Sequence, residues 1–211
     1  AVPENGYFLQ DGMIYAAENG VVRPFLAAEE ILIPGEHNVE NYLTAIAAVG
    51  DEVGFDVIAV GHRPSDNGFF ADYGIPYYSV DILDESSYKV LPQAGVYGIV
   101  HMAAILPATM EGYNPRTYVD SNMNGTLNVL DYAVKVGCER FVFPKSWSDI
   151  TYLTGSLDPI PADAPVKFPM DNDHTVYAIT KNAACDLIAH YAAKYSFKYY
   201  ILRFPNIFCY H

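Results

Sequence analysis

Between residues 31 and 204 short apolar runs alternate with longer helix-type segments, and this alternation constrains the fold more than any other feature. The runs at 31–34, 55–60, 76–80, 96–103, 140–144 and 198–204 lack the regular polar–apolar alternation of a half-solvated strand. Strands buried on both faces read this way, which implies a parallel sheet with helices on both sides, a three-layer α/β domain. Residues 38–48 are rich in Ala and Leu and predict a helix. Val119, Met123, Leu127, Leu130 and Val134 recur at three- and four-residue spacing, which predicts one long helix over 117–136. A further helix is predicted over 175–194. The segment 154–174, with Pro159, Pro161, Pro165 and Pro169, reads as an irregular loop. Ahead of this pattern, Asp11-Gly12 and Asn19-Gly20 separate apolar runs at 7–9, 13–15 and 21–22. Such pairs tolerate positive φ and signal hairpins, so residues 5–27 are expected to form a small antiparallel β-ribbon along one edge.

Charge removes several functional classes. Asp and Glu number 25 against 12 Lys and Arg, a net charge of −13. A chain this acidic repels phosphate backbones and anionic lipid surfaces, so neither nucleic acid nor membrane is an expected partner. With 51% hydrophobic and 18% charged residues, it should bury a core. No apolar run reaches the roughly 20 residues a membrane helix needs. Residues 1–5 show neither a basic region nor an apolar signal core. Cys138, Cys185 and Cys209 lie far apart, with no zinc-type spacing. No metal site is expected, and a reducing, cytoplasmic setting is the simplest reading. A homo-oligomer is compatible with it.

The residues that carry chemistry cluster late in the chain. In YAITK at 177–181, Tyr177 and Lys181 share one helix face. An ammonium beside a phenol favours phenolate, so the spacing predicts a lowered Tyr177 pKa and a usable proton acceptor or donor. Ser146 falls just past the carboxyl end of the strand at 140–144, where open α/β sheets bind ligands. Its hydroxyl could bond the substrate oxygen that Tyr177 protonates. Ser148 competes for that role, and either serine could simply form a turn. His101-Met-Ala103-Ala104 ends a strand with two small residues, leaving room for a flat cofactor. Asn122 opens NMNGTLNVL at 122–130 inside the long helix.

HMAA at 101–104, NxxGTLNVL at 122–130, Ser146, YAITK and LRFPNIF at 202–208 stand in an order and at separations that resemble a known family. Residues from about 55 to 210 are similar to the extended short-chain dehydrogenase/reductases, in the NAD-dependent epimerase/dehydratase branch. The resemblance implies a Rossmann-like fold with strand order 3-2-1-4-5-6. It also implies that Tyr177 is the acid/base, that Lys181 lowers its pKa and holds the nicotinamide ribose, and that Ser146 orients the substrate. Gly35, Ala103, Ala104 and Asn122 would line the cofactor. Asp81 would sit by the adenine, or merely form a turn. Arg203 and Asn206 would lead into the substrate side, or simply end a strand.

The resemblance breaks at the phosphate loop. Where the family carries GxxGxxG, residues 35–41 read GEHNVEN, with only Gly35 retained and with Glu36 and Glu40 beside the expected pyrophosphate. This loop should bind a dinucleotide poorly. The second strand is followed by Gly61-His-Arg63. Gly61 stands where a carboxylate would accept from ribose hydroxyls, and Arg63 offers a partner for a 2′-phosphate, so NADP is expected slightly over NAD. Residues 4–49 resemble instead the end of the central domain of D-glutamate-adding Mur ligases. In that family the GxHNxxN segment lines the ATP site, which maps onto His37, Asn38 and Asn41; helix capping by these residues is the alternative. The ligase's GxGKT loop and third domain, and the epimerases' substrate lobe, have no counterpart. The sequence therefore reads as a chimera, residues 1–50 ligase-like and 51–211 an epimerase-like core. Its expected function is an impaired epimerase/dehydratase-type oxidoreductase acting on a nucleotide sugar or similar alcohol, or else an inactive scaffold.

Overall fold

The computed structural model describes residues 6–10, 13–18, 20–27, 56–66, 70–71, 75–106, 113–155, 160–161, 163–172 and 174–204. The chain divides into two compact units, residues 1–56 with 206–211, and residues 57–205. In the first, β1 (Gly6–Gln10), β2 (Met13–Glu18) and β3 (Val21–Ala27) form an antiparallel sheet in the order β1-β2-β3. Gly20 closes the β2–β3 turn at φ 78, a conformation glycine adopts without strain. The β2–β3 register slips between Ile14 and Tyr15, where Pro24 lies opposite Tyr15. Proline lacks the N–H a ladder needs, and β3 is an edge strand, where it is tolerated.

The second unit is a parallel α/β domain. β4 (Ala59–Gly61) pairs with β5 (Tyr77–Ser79), and β6 (Gly98–Val100), β7 (Arg140–Ser146) and β8 (Lys198–Phe204) pair in that order, all parallel. The strand expected at 31–34 and the helix at 38–48 lie outside the described residues, as do Gly35, His37, Asn38 and Asn41. β6 is shorter than the apolar run at 96–103: the ladder with β7 ends at Val100 and His101, whose N–H donates to the Val142 carbonyl at 2.9 Å. Phe141, Phe143, Leu130, Ile188 and Ala184 are sealed from solvent at the centre of this unit.

The long helix differs from its expectation in an informative way. It begins earlier, where Asn114 Oδ1 accepts from Arg116 N at 3.0 Å and Pro115 takes the first turn. α1 (Pro115–Val119) passes into a π turn (Asp120–Asn124) and then α2 (Gly125–Lys135). The expected apolar stripe matches the buried face only at Leu130: Val119 is exposed, and Met123, Leu127 and Val134 are half-buried. Asn122, Gly125, Thr126, Val129 and Ala133 turn inward beside it. At Gly125 a Cβ would lie 2.5 Å from Ile82 Cδ1, so glycine is what lets this face approach the β5 side. α3 (Thr175–Tyr195) ends at Ser196 in the left-handed region, φ 63, and leads directly into β8.

Candidate active site

The carboxyl end of β7 and the first turns of α3 bring the expected catalytic residues together. Ser146 is the last residue of β7, and its Oγ accepts from Ser148 N at 3.1 Å, capping the short turn Trp147–Asp149. Its hydroxyl hydrogen is then free to point at the Tyr177 phenol oxygen, with which it forms a hydrogen bond favouring phenolate. Tyr177 is itself buried, and burial outweighs that bond and pushes the phenol up, not down. This corrects the expectation drawn from the YAITK spacing. Lys181 does share a helix face with Tyr177, but its ammonium lies over the Phe143 ring, 3.7 Å from the centroid. Only 3% of Lys181 is exposed, and burial brings its pKa down to about 8. Among the described residues Lys181 Nζ has no carboxylate or hydrogen-bond partner.

A buried polar network fixes the neighbouring backbone. Asn122 Oδ1 accepts from Ile105 N at 2.8 Å, and its Nδ2 donates to Ile105 O at 3.3 Å and to Thr180 Oγ1 at 3.2 Å. Thr180 donates onward to the Tyr177 carbonyl at 3.0 Å. In the same network the Thr126 hydroxyl donates to the Asn122 carbonyl at 2.8 Å, so it accepts from His101 Nε2 at 3.0 Å. The π turn serves this arrangement, because its wider register carries Asn122 inward to clip the segment after β6 onto α3. The Asn122 amide is thereby engaged by protein, so it positions the Ala103–Ala104 segment; it does not face a ligand. Ala103 is exposed and Ala104 half-buried on that segment.

The remaining expected residues are more scattered. Asp81 Oδ1 accepts from Leu83 N at 2.9 Å, a turn-forming role, and its other oxygen lies 4.0 Å from His62 Nε2. Arg63 is exposed, and its carbonyl accepts from the Tyr77 hydroxyl at 2.7 Å. Gly61 has a packing reason as well: a Cβ there would meet Tyr77 Oη at 2.6 Å. Ser148 Oγ is buried with no hydrogen-bond partner among the described residues. Arg203 reaches back to Asp149 rather than outward. Asn206 lies outside the described residues. A shallow cavity of about 470 Å³ opens beside Gly137, Arg140, Ser196 and Lys198, at the amino ends of β7 and β8 and therefore away from Ser146. Sequence reasoning missed His101 as a network member, Thr126, Thr180 and Asp149. Only Asp149, four residues after Lys145, carried a local signal.

Comparison with known proteins decides the family. The profile of the NAD dependent epimerase/dehydratase family matches residues 44–211. The chain belongs to that family. A UDP-glucuronate 4-epimerase from Thermodesulfobacterium geofontis is 27% identical over 133 residues, covering 63% of this epimerase/dehydratase chain and 39% of the relative. The solved UDP-glucose 4-epimerase of Thermus thermophilus, in complex with NAD, superposes with a TM-score of 0.58 at 21% identity over 79% of this chain and 50% of that one. That likeness establishes a Rossmann-like α/β fold. A shorter stretch is similar to the UDP-N-acetylmuramoylalanine–D-glutamate ligase of Thermoanaerobacter sp. (strain X514), 47% identical over 57 residues, which is 26% of this chain and 13% of the ligase. The epimerase/dehydratase chain thus spans half or less of the length of each of these relatives. No helix among the described residues is long and apolar enough to cross a membrane.

Proposed function

We propose that this chain is an epimerase/dehydratase-type oxidoreductase that acts at a hydroxyl of a nucleotide-linked sugar, or a similar alcohol, with a nicotinamide cofactor. The observation that carries the reading is the Lys181 ammonium, over the Phe143 ring on a residue only 3% exposed, one helical turn from the Ser146–Tyr177 hydroxyl pair. A largely desolvated cation suits ribose hydroxyls, so the residues present fit the nicotinamide side of the cofactor. Lys181 would hold the ribose, with Ala103 and Ala104 lining the flat ring. The cofactor, when bound, supplies the hydride acceptor and donor. Burial disfavours phenolate, so Tyr177 holds its proton near neutral pH: as phenol it would donate to a substrate carbonyl oxygen, and only after giving up that proton would it accept one from a substrate hydroxyl. Ser146 donates to the same oxygen and offsets the charge that develops there. The full strand order 3-2-1-4-5-6, a ligase-derived origin of residues 1–50 and a cytoplasmic setting belong to this proposal. The free thiols Cys138 and Cys185 suit a reducing compartment.

A second reading is an inactive scaffold, favoured by the raised Tyr177 and by the two glutamates in the loop at 35–41. Fluorescence titration with NADH and NADPH separates the two. Saturable binding, with turnover of a UDP-sugar that is lost in Tyr177→Phe, supports the enzyme. No binding at millimolar cofactor supports the scaffold.

Cofactor choice has its own test. Arg63 is exposed at the end of β4 and is free to meet a 2′-phosphate, and the missing Gly61 side chain leaves no carboxylate to oppose it. NADPH is expected to bind a few-fold tighter than NADH, in keeping with a solvent-screened contact of about 1 kcal/mol. Arg63→Ala should erase the difference; an unchanged ratio removes the idea.

A further inference from the structure

We propose that Asp149 is a positioning residue for the Ser146–Tyr177 pair, holding the turn that carries Ser146 through an ion cluster with Lys145 and Arg203. The inference rests on the active-site reading above and adds a residue to it. Lys145 Nζ lies 2.7 Å from Asp149 Oδ2, across one turn of chain. From the adjacent strand, Arg203 Nε lies 3.4 Å from Oδ1 and Nη2 3.4 Å from Oδ2. The carboxylate side chain is 1% exposed, against 12% for Lys145 and 18% for Arg203, so solvent screens the cluster weakly.

Between Lys145 and Asp149 sits the whole serine turn. Its near end is fixed by the β7–β8 ladder, which pairs Lys145 with Arg203 and Ser146 with Phe204. Its far end is fixed twice: by the Asp149 carboxylate, and by the Asp149 carbonyl, which accepts from Lys167 N at 2.8 Å. With both ends held, Ser148 N stays on Ser146 Oγ, and the Ser146 hydrogen is left for Tyr177. α3 contributes the other titratable groups here. The Cys185 thiol feels Lys145, Lys181 and Asp149, and burial pushes it up to about 11, so it adds no charge near neutral pH. Lys181 is turned toward Phe143 and leaves Asp149 to Lys145 and Arg203.

Buried ion pairs need not stabilise a fold, since apolar replacement of both partners is often neutral, whereas removing one partner strands the other. That asymmetry separates positioning from stability. The test uses the full chain in two forms, Asp149→Asn and the double variant Lys145→Met/Asp149→Leu, which removes the closest pair together and leaves the partly exposed Arg203 guanidinium as the remaining charge of the cluster. Each is compared with its own Tyr177→Phe derivative by ultraviolet difference titration, which isolates one phenol among 18 tyrosines. A free-standing positioning role predicts that the Tyr177 transition moves to higher pH in both variants, because the Ser146 donor is lost. It also predicts that kcat falls about 10- to 100-fold with KM within about twofold, the size of effect expected from sub-ångström misplacement of a reacting group. A folded variant with an unmoved Tyr177 transition and unchanged kcat overturns the proposal. Should Asp149→Asn fail to fold, the double variant decides alone. If the wild-type chain turns over no UDP-sugar, the enzyme reading fails, and the titration still tests the clamp.

Discussion

Replacing Lys181 with methionine is expected to raise the stability of the folded chain by about 3 kcal/mol at pH 7 while weakening cofactor binding. Burial lowers the Lys181 pKa from 10.5 to about 8, so at neutral pH the native state holds a charge its surroundings disfavour. A tenfold change in an ionisation constant corresponds to about 1.4 kcal/mol, which makes about 3 kcal/mol an upper figure. Methionine keeps the length of the stem and sets a sulfur against the Phe143 ring, so little packing is lost. The sign follows from proton linkage. Between pH 8 and 10.5 the unfolded chain binds more protons at this residue than the folded one, so wild-type stability climbs through that window. The gain in Lys181→Met is therefore full below pH 8 and gone by pH 10.5. Denaturant titrations of both proteins at pH 7, 9 and 10.5 check it. A variant less stable than wild type, or a gain independent of pH, would show that the ammonium is well accommodated. A residue kept at such an energetic disadvantage is what a functional site requires.

The second large effect lies at the acid end. His101 is buried, and burial with the nearby Lys181 charge brings its pKa down to about 3. The folded chain thus holds neutral imidazole over a range where the unfolded chain, titrating near 6.5, has taken up a proton. Stability contributed by this residue is complete above pH 6.5 and falls as pH drops toward 3, by about 3 kcal/mol at pH 4.5. The hydrogen bond to Thr126 and the flanking Phe141 and Phe143 rings leave the proton no solvent-facing site. His101→Asn should be less stable at pH 7, through lost packing, yet flatter between pH 6.5 and 4.5 by about one proton. Carboxylates also titrate there, so the quantity to compare is the difference in slope. Parallel curves would place the acid sensitivity elsewhere.

The parts of the fold that could be read in advance are those that local chemistry decides. Continuous apolar runs named the parallel strands, and β7 and β8 extend close to their expected bounds; Phe141, Val142 and Phe143 of β7 are buried at successive positions, whereas Tyr199 and Tyr200 of β8 are exposed. The face of the long helix could not be read this way. Hydrophobic spacing chose Val119 and Leu127, whereas Asn122, Gly125 and Thr126 go inward, since hydrogen bonds to Ile105, Thr180 and His101 satisfy the polar pair and Gly125 makes room for Ile82. A periodicity argument counts apolar side chains and has no means of counting partners from distant segments.

The same division runs through the site. Identity, order and spacing of HMAA, NxxGTLNVL, Ser146 and YAITK were sufficient to select the family. What spacing could not supply is electrostatic environment. An i, i+4 pair promises an ammonium beside a phenol, but the tertiary packing of α3 on β7 turned that ammonium onto Phe143 and buried both groups, so that Tyr177 is raised and Lys181 lowered. Nor did the sequence single out Asp149, to which β8 delivers Arg203 from 54 residues away. Residue types and their spacing are properties of the chain; desolvation and charge pairing are properties of the space around each group, and that space is made only when the strands and helices close on one another.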